Sequence, residues 1–196
     1  PDLAYQAFID SMVTTLTIPL AMSGNISSLE DANALFNRGA DRIIINRALW
    51  NKPNIIKEIS DRYGKQAIIA SIDYKYNNDT LLSYDWDKLE LRNKFIPDYI
   101  EDVLPYIGEI IIQDVDQDGR VLGANIEAIK SACNFFPSSM PIHVGSCGIV
   151  NWGQYSQILK MDSVDAVSVI NVHHMSSTAV RSLRKHCIMK EIYIRN

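Results

Sequence analysis

The sequence predicts an α/β fold of the (β/α)8 (TIM) barrel type, with about six of the eight strand–helix units present in its 196 residues. Three observations favour this fold. Predicted strands and helices alternate strictly, the strands are almost continuously apolar, and two parts of the chain resemble each other. We therefore expect residues 1–196 to form a single barrel domain that lacks roughly the first strand–helix unit and the second strand. The alternative is an open doubly wound sheet, complete at six strands.

The internal repeat pairs residues 41–46 with residues 165–171, and residues 19–25 with residues 141–148. Each copy of the first pair is a strand-like stretch that follows a helical segment and ends in Asn. The offset of about 125 residues is too long for a solenoid. It fits two halves of one barrel, each made of four strand–helix units, and therefore favours the barrel over the open sheet.

The helices are predicted from periodicity and end signals. Apolar residues at helical spacing mark their buried sides, and Pro53 begins one helix while Gly39 and Gly64 end two others. Ser27 and Glu30 predict a capping box. With their caps, the predicted helices cover approximately residues 1–16, 27–39, 53–64, 97–106, 126–135, 152–161 and 178–187.

The strands are short apolar runs that end in polar or small residues. Such runs are typical of strands that are buried on both faces of a parallel sheet. The polar segment from Tyr74 to about Asn93 is long for a loop and is predicted to hold a small hairpin. The predicted strands cover residues 19–24, 42–46, 67–73, 109–115, 141–145 and 166–172.

Composition narrows the class of protein. Apolar residues make up 47% and charged residues 21%, the balance of an ordinary globular domain. A net charge of −4 without a basic run argues against nucleic acid or an acidic membrane surface as a partner. No apolar stretch approaches the roughly 20 residues of a membrane span. The chain has no signal peptide and starts at Pro1 without Met, so we expect its natural N-terminus elsewhere.

The cysteines point to a reducing compartment. Cys133, Cys147 and Cys187 are odd in number and are not at metal-ligand spacing, so they are typical of reduced thiols. We expect a cytoplasmic protein. Cys147 would be a nucleophile only with a base nearby, and the simpler interpretation is a small turn residue.

Functional residues of a parallel barrel lie at the carboxyl ends of its strands. Small turns follow two strands half a barrel apart, at residues 23–25 and 145–148. Their backbone N–H groups could bind a ligand with a phosphate at each end, although each turn alone is an ordinary tight turn. The candidate phosphate-binding residues are Gly24, Asn25, Gly145 and Ser146.

One carboxylate, Asp73, ends a predicted strand, and another, Asp118, lies in the turn after the next predicted strand. Asp73 and Asp118 would support proton transfer as a pair, although Asp is common in turns for structural reasons. Arg42 and Glu109 start strands and therefore lie at the amino face, where the simplest interpretation is a stabilising charge pair. No His, Cys, Asp and Glu set has metal-ligand spacing, so we predict neither a metal nor a cofactor.

Several stretches resemble the cyclase subunit of imidazole glycerol phosphate synthase, in the same order and over essentially the whole chain. The most specific are Gly-Lys-Gln-Ala-Ile-Ile-Ala-Ser-Ile-Asp at residues 64–73 and Gly-Glu-Ile-Ile-Ile with Asp-Gln-Asp-Gly at residues 108–119. A third, at residues 28–46, contains Ser-Leu-Glu-Asp-Ala and Gly-Ala-Asp-Arg-Ile-Ile-Ile-Asn.

This resemblance implies a (β/α)8 barrel with half-barrel symmetry and a glutaminase partner docked on its amino face as a heterodimer. Ammonia from the glutaminase would pass through the barrel to a small phosphorylated substrate at the carboxyl face, for lyase and cyclisation chemistry. The resemblance implies that Asp73 and Asp118 are catalytic, that Asn46 contacts substrate, and that Arg42 and Glu109 belong to an ammonia gate. The other catalytic aspartate of the family would precede the first residue.

The sequence differs from the family pattern at the phosphate sites. Side chains stand where glycines are usual at residues 23–25 and 145–147, and added side chains restrict close backbone approach. Arg47 replaces a Thr and brings a guanidinium that suits phosphate. Asn171 replaces a Ser after the last strand. We include Arg47 and Asn171 among the candidate phosphate-binding residues.

Three functions are therefore open. The first is the cyclase subunit of a glutamine amidotransferase that forms imidazole glycerol phosphate in histidine biosynthesis. The second is a paralogous subunit for amidination of a nucleotide-linked or nonulosonic sugar in surface polysaccharide synthesis, which the altered phosphate turns suggest. The third is a scaffold that only docks and activates a glutaminase; Asp73 and Asp118 argue against it.

Overall fold

A computed structural model describes residues 3–77, 80–85, 88–95, 100–120, 122–145, 147–169 and 179–194. The chain divides into two compact units. The first unit is Pro1–Ser71 with Tyr99–Glu109, and the second is Ile72–Asp98 with Ile110–Asn196. That the whole chain forms one domain stays a prediction.

The first unit consists of parallel strands connected by helices. β2 pairs in parallel with β1 on one side and with β3 on the other, so that Met22 lies opposite Ile43 and Ile44 lies opposite Ile69. Its apolar strands are largely buried, as predicted for a parallel sheet. The elements are α1 (Leu3–Thr15), β1 (Ala21–Ser23), α2 (Leu29–Asn37), β2 (Arg42–Ile45), α3 (Ala48–Asn51), α4 (Pro53–Tyr63) and the start of β3 (Ile68–Asn77).

Hydrogen bonds at the start of α2 correct one sequence prediction. The Ser28 hydroxyl accepts from Asp31 N at 3.2 Å, and the Asp31 carboxylate accepts from Ser27 N at 2.8 Å. The capping box predicted for Ser27 and Glu30 is therefore wrong by one residue, because the side chain that reaches back is Asp31. The hydrogen bonds from Ser27 stabilise the ionised form and lower the pKa of Asp31.

The second unit contains a parallel set of strands and a hairpin. β6, β7 and β8 pair in parallel, with Ile111 opposite His143 and His143 opposite Ala166. This unit contains β3 from Ile72 onward and β6 (Glu109–Asp114) from Ile110 onward. Its other elements are β4 (Thr80–Asp85), β5 (Glu90–Phe95), α5 (Ile126–Cys133), β7 (Ile142–Gly145), α6 (Trp152–Leu159), β8 (Ala166–Ser168) and α7 (Ala179–Met189).

β3 is longer than the sequence predicted. It continues past Asp73 to Asn77, because residues 74–77 pair antiparallel with β4, which pairs in turn with β5. The hairpin predicted between Tyr74 and Asn93 is therefore confirmed. The prediction that the strand ends at Asp73 is wrong, since polar residues continue a strand wherever a neighbouring strand satisfies their backbone groups.

The helix predicted over residues 97–106 is not an α-helix in its last part. From residue 101 onward the chain forms a turn and then a 3₁₀ helix at Leu104–Tyr106. Pro105 has no N–H to donate within an α-helix, which explains the tighter conformation. The short helix α3 and a 3₁₀ helix at Lys65–Ala67 were not predicted. The other described helices and strands agree with the predictions within a few residues at each end, and residues 170–172 of the last predicted strand lie outside the described residues.

The internal repeat recurs as the same pair of hydrogen bonds in each unit. In the first unit the Asp41 carboxylate accepts from Leu20 N at 2.7 Å, and Asp41 N donates to Leu20 O at 2.9 Å. In the second unit the Asp165 carboxylate accepts from Ile142 N at 2.9 Å, and Asp165 N donates to Ile142 O at 2.8 Å. Each aspartate thus fastens the start of one parallel strand to the start of its neighbour.

Parallel strands that alternate with helices, in about six such units, give the chain the α/β architecture of a TIM-type barrel, as the sequence predicted. Within the described ranges, none of the helices combines the length and the apolar character that crossing a bilayer requires.

Candidate active site

Side chains on β6 alternate between a buried side and a more open side. The residues of the buried side are at most 2% exposed: Ile110, Ile112 and Asp114. The residues between them are only partly buried: Glu109, Ile111 and Gln113. Polar groups that could meet a ligand therefore project from the second side of this strand or follow its end.

Asp73 projects from the same side as Gln113. Val115 N donates to Tyr74 O at 3.0 Å, which joins β3 to the end of β6 within the second unit. Tyr74 and Asp114 share the buried side, where the Asp114 charge contributes to raising the pKa of Tyr74. By alternation, the residues that precede them, Asp73 and Gln113, point the opposite way. Asp73 is 8% exposed.

Asp118 lies in the turn after β6 and is joined to Gln113. The Gln113 amide donates from Nε2 to Asp118 Oδ2 at 3.0 Å, and both residues are partly buried. Through this bond the Asp118 carboxylate comes to the side of β6 from which Gln113 projects. Of the two aspartates predicted as a pair, Asp73 thus lies within β3 and Asp118 lies in the turn after the neighbouring strand β6, which carries Gln113.

Asp114, on the buried side of β6, stabilises the turn that follows this strand. Its Oδ1 accepts from Asp116 N at 3.0 Å and from Gln117 N at 3.3 Å, while its carbonyl oxygen accepts from Asp118 N at 3.0 Å. Burial raises the pKa of the Asp114 carboxyl, although the hydrogen bonds from the turn act in the opposite direction. Asp114 is therefore a structural carboxylate, whereas Asp118 is the partly exposed one.

Lys75 also contacts this turn. Its Nζ lies 3.0 Å from Asp116 Oδ1 and 4.8 Å from the centre of the Tyr84 ring. The ion pair and the cation–π contact hold the ammonium group between the turn and the β4 strand of the hairpin. Because both charged side chains are partly exposed, the pair contributes little to stability and more to orientation.

The turn after β7 is closely packed. Gly145, Cys147 and Gly148 are buried, and Cys147 has a positive φ of 31°. A Cβ on Gly148 would lie 2.6 Å from Gln117 O, so this turn packs directly against the turn after β6. In the described part, its backbone is enclosed by protein rather than presented to solvent.

Cys147 is a structural residue of that turn. Its Sγ accepts from Asp114 N at 3.2 Å, and burial raises the pKa of the thiol to about 12. A thiol that stays protonated is a poor nucleophile, which agrees with the interpretation as a turn residue. The adjacent Tyr74 hydroxyl is buried without a hydrogen-bond partner of acceptable geometry among the described residues, and burial raises its pKa well above the usual value.

The corresponding turn after β1, in the first unit, is open. Residues 23–25 are exposed, nothing lies within 4 Å of a Cβ built on Gly24, and Asn25 has a positive φ of 35°. Asn25 and Cys147 occupy the same place, two residues after their strands. Asn25 and Cys147 thus share a positive φ, whereas the packing around the two residues differs.

Asn46 and Arg47 follow β2 in the first unit. Asn46 donates from Nδ2 to Ser71 O at 3.0 Å, which joins the end of β2 to the first half of β3. Arg47 is exposed at the start of the short helix α3. Asn46 is therefore fixed by a neighbouring strand, and Arg47 is an exposed residue beside it.

Arg42 and Glu109 form an ion pair between Arg42 Nη1 and Glu109 Oε2, also in the first unit. Both residues begin their strands, at the amino ends, as predicted from the sequence. The Arg42 side chain is 46% exposed and that of Glu109 is 19% exposed. The charge pair that the sequence suggested at this end is thus present.

Some predicted residues cannot be placed, and some that matter were not predicted. Ser146 and Asn171 lie outside the described residues. Gln113 and Lys75 were missed, because a single Gln or Lys near a strand end carries no pattern that distinguishes it from a solvated side chain. Among the residues described, the acidic turn included, no three His, Cys, Asp or Glu side chains form a group that could hold a metal ion.

Comparisons with known proteins point to one family. The family model described as "Histidine biosynthesis protein" matches residues 3–174. The chain is similar to imidazole glycerol phosphate synthase subunit HisF of Dictyoglomus thermophilum, with 27% identity over 194 residues, 95% of this chain and 73% of that protein. It is 30% identical to subunit HisF of Staphylococcus aureus strain MRSA252 over 183 residues, 90% of this chain and 70% of that protein.

Two replacements of Asp114 distinguish the contribution of its hydrogen bonds to stability from the contribution of its charge. Asp114→Ala leaves two N–H groups without an acceptor and should lower the free energy of unfolding by about 2 kcal/mol at pH 7. Asp114→Asn keeps the acceptor oxygen, removes a buried charge, and should cost less than about 0.5 kcal/mol or stabilise the protein.

Urea unfolding between pH 7 and pH 4.5 provides the measurement. Because the pKa of Asp114 is raised on folding, the folded wild type binds the proton first as the pH falls. The wild type should therefore gain stability relative to Asp114→Asn on acidification. Equal destabilisation by Asn and Ala would contradict the structural role.

Proposed function

This chain belongs to the histidine biosynthesis protein family, and from that premise we propose that it is the cyclase subunit of a glutamine amidotransferase of the imidazole glycerol phosphate synthase type. In this proposal it takes ammonia from a separate glutaminase subunit and catalyses lyase and cyclisation chemistry on a small phosphorylated substrate. The similarity to HisF subunits over 90–95% of the chain supports the assignment.

The observation that carries the proposal is the arrangement of Asp73 within β3 and Asp118 in the turn after the neighbouring strand β6. Ring closure and elimination both require protons to be removed and delivered, and a carboxylate does this only from a defined position. Asp73 is held within a strand and Asp118 is held by Gln113. We assign the acid and base roles to these two aspartates.

We assign the phosphate-binding role to the open turn at Gly24 and Asn25 and to Asn46 and Arg47. Gly145, Ser146 and Asn171 are the candidates for a second phosphate site, and the burial of Gly145 argues against that site. The exposure of residues 23–25 leaves room for a phosphate to approach the backbone. The exposed Arg47 guanidinium could bind a phosphate through two parallel hydrogen bonds.

We assign the entry of ammonia to the amino ends of the strands, where Arg42 and Glu109 pair. A charged pair at this position can open and close without disturbing the buried strands. Since an exposed ion pair contributes at most about 1 kcal/mol, its disruption should leave the fold intact. The glutaminase subunit would dock at this end.

A second candidate function is the amidination of a nucleotide-linked or nonulosonic sugar by a paralogous subunit. It is favoured by the close packing of Gly145, Cys147 and Gly148, which leaves little room for a phosphate. Growth of a histidine-requiring strain that lacks the cyclase distinguishes the two functions. Rescue by this protein supports histidine biosynthesis, and failure by a well-expressed protein supports the sugar function.

Loss of either proposed catalytic carboxylate should abolish most of the activity. With ammonium salt as the nitrogen donor, Asp73→Asn and Asp118→Asn should each lower kcat by roughly 100-fold or more. The exposed Asp162 provides a matched control, because Asp162→Asn removes a carboxylate that is distant in sequence from both Asp73 and Asp118. Wild-type-like turnover by both site variants would contradict the catalytic assignment.

Substitution at the amino ends of the strands should affect glutamine-driven turnover more than ammonium-driven turnover. In Glu109→Gln the ratio of glutamine-driven to ammonium-driven turnover should fall, roughly tenfold, because delivery fails while the chemistry is preserved. Glu127→Gln is the control, since Glu127 is exposed and pairs with Lys130 at 3.5 Å on a helix. An unchanged ratio in Glu109→Gln would remove the gate from the proposal.

A further inference from the structure

We propose that Gln113 is a positioning residue that fixes the Asp118 carboxylate for proton transfer, with Asp114 fixing the turn on which Asp118 is carried. This inference rests on the proposed function, because it assumes that Asp118 is catalytic. The family resemblance assigns no role to Gln113 or Asp114.

The contact between Gln113 and Asp118 has a defined direction. A carboxylate can only accept, so the amide must turn its nitrogen toward Asp118, and Nε2 lies 3.0 Å from Oδ2. The amide oxygen is then directed elsewhere. It lies 3.8 Å from the position that a Cβ on Gly145 would take.

Gly145 lies beside β6, on the side from which Gln113 projects. A Cβ there would lie 3.0 Å from Ile111 Cγ2 as well as close to the Gln113 amide oxygen. β7 runs beside β6, with Val144 opposite Ile112. A larger residue at position 145 would press on the same side of β6 from which Gln113 projects. The glycine is thus explained by Ile111, since 3.8 Å to the Gln113 amide oxygen is an ordinary van der Waals distance.

Asp114 prevents the turn from moving independently of β6. Three hydrogen bonds between Asp114 and residues 116–118 close the turn, and Gln117 O is enclosed by Gly148. With the backbone of the turn fixed, the Asp118 side chain keeps only its rotamers, and the Gln113 amide selects one of them. Asp118 is thereby held in advance of substrate binding, which is what efficient proton transfer requires.

The role predicts a specific kinetic signature. Gln113→Met keeps the length and bulk of the side chain and removes the donor. In ammonium-driven assays kcat should fall by roughly 10- to 100-fold with KM within about twofold, because orientation is lost rather than substrate binding. Gln157→Met, on the exposed side of α6, is the matched control and should resemble the wild type.

A second measurement does not require turnover. In ¹H–¹⁵N spectra, the Gln113 side-chain NH₂ signals should shift when Asp118 is replaced by Asn, and the Gln157 signals should not. An unchanged Gln113 signal would overturn the proposal, and so would a shifted signal combined with a normal kcat in Gln113→Met. If the wild type itself shows no turnover, the proposed function fails, and the NH₂ signals alone decide whether Gln113 holds Asp118.

Discussion

The two-residue period of a buried parallel strand is the constraint on which the rest of this structure depends. Strands covered by helices must place apolar residues on the covered side, so chemistry is confined to the other side or to the residues after the strand. In β6 this rule buries Ile110 and Ile112 completely and leaves Gln113 partly open. The same rule turns Asp73 away from the buried Tyr74.

Backbone N–H groups in loops and at strand starts also need hydrogen-bond acceptors. Several carboxylates therefore have a structural role rather than a chemical one. Asp41 and Asp165 fasten neighbouring strand starts, and Asp114 closes the turn after β6. Their oxygens are occupied by N–H groups from the backbone. These three carboxylates thus serve the fold, which is a distinction that a list of acidic residues in a sequence cannot make.

The sequence predicted the architecture well, because apolar periodicity and glycine or proline at element ends are local signals. Asp73 was recognised, but the end of its strand was not, since a hairpin partner further along the chain extends it. The capping box was placed one residue early because Ser27 and Ser28 are equally good caps in sequence. Gln113 was missed because its role depends on a contact with Asp118 that no sequence pattern indicates. The packing around Cys147 was also not predicted, because it depends on the turn after β6.

The central claim is that the turn after β6, with Asp118 held by Gln113, meets the substrate. Titration of ¹⁵N-labelled protein with imidazole glycerol phosphate, followed by ¹H–¹⁵N spectra, tests this most directly. The account predicts saturable shifts of the backbone signals of residues 114–119 and of the Gln113 side-chain amide. Saturable binding that leaves these signals unchanged, or the absence of binding, would contradict it.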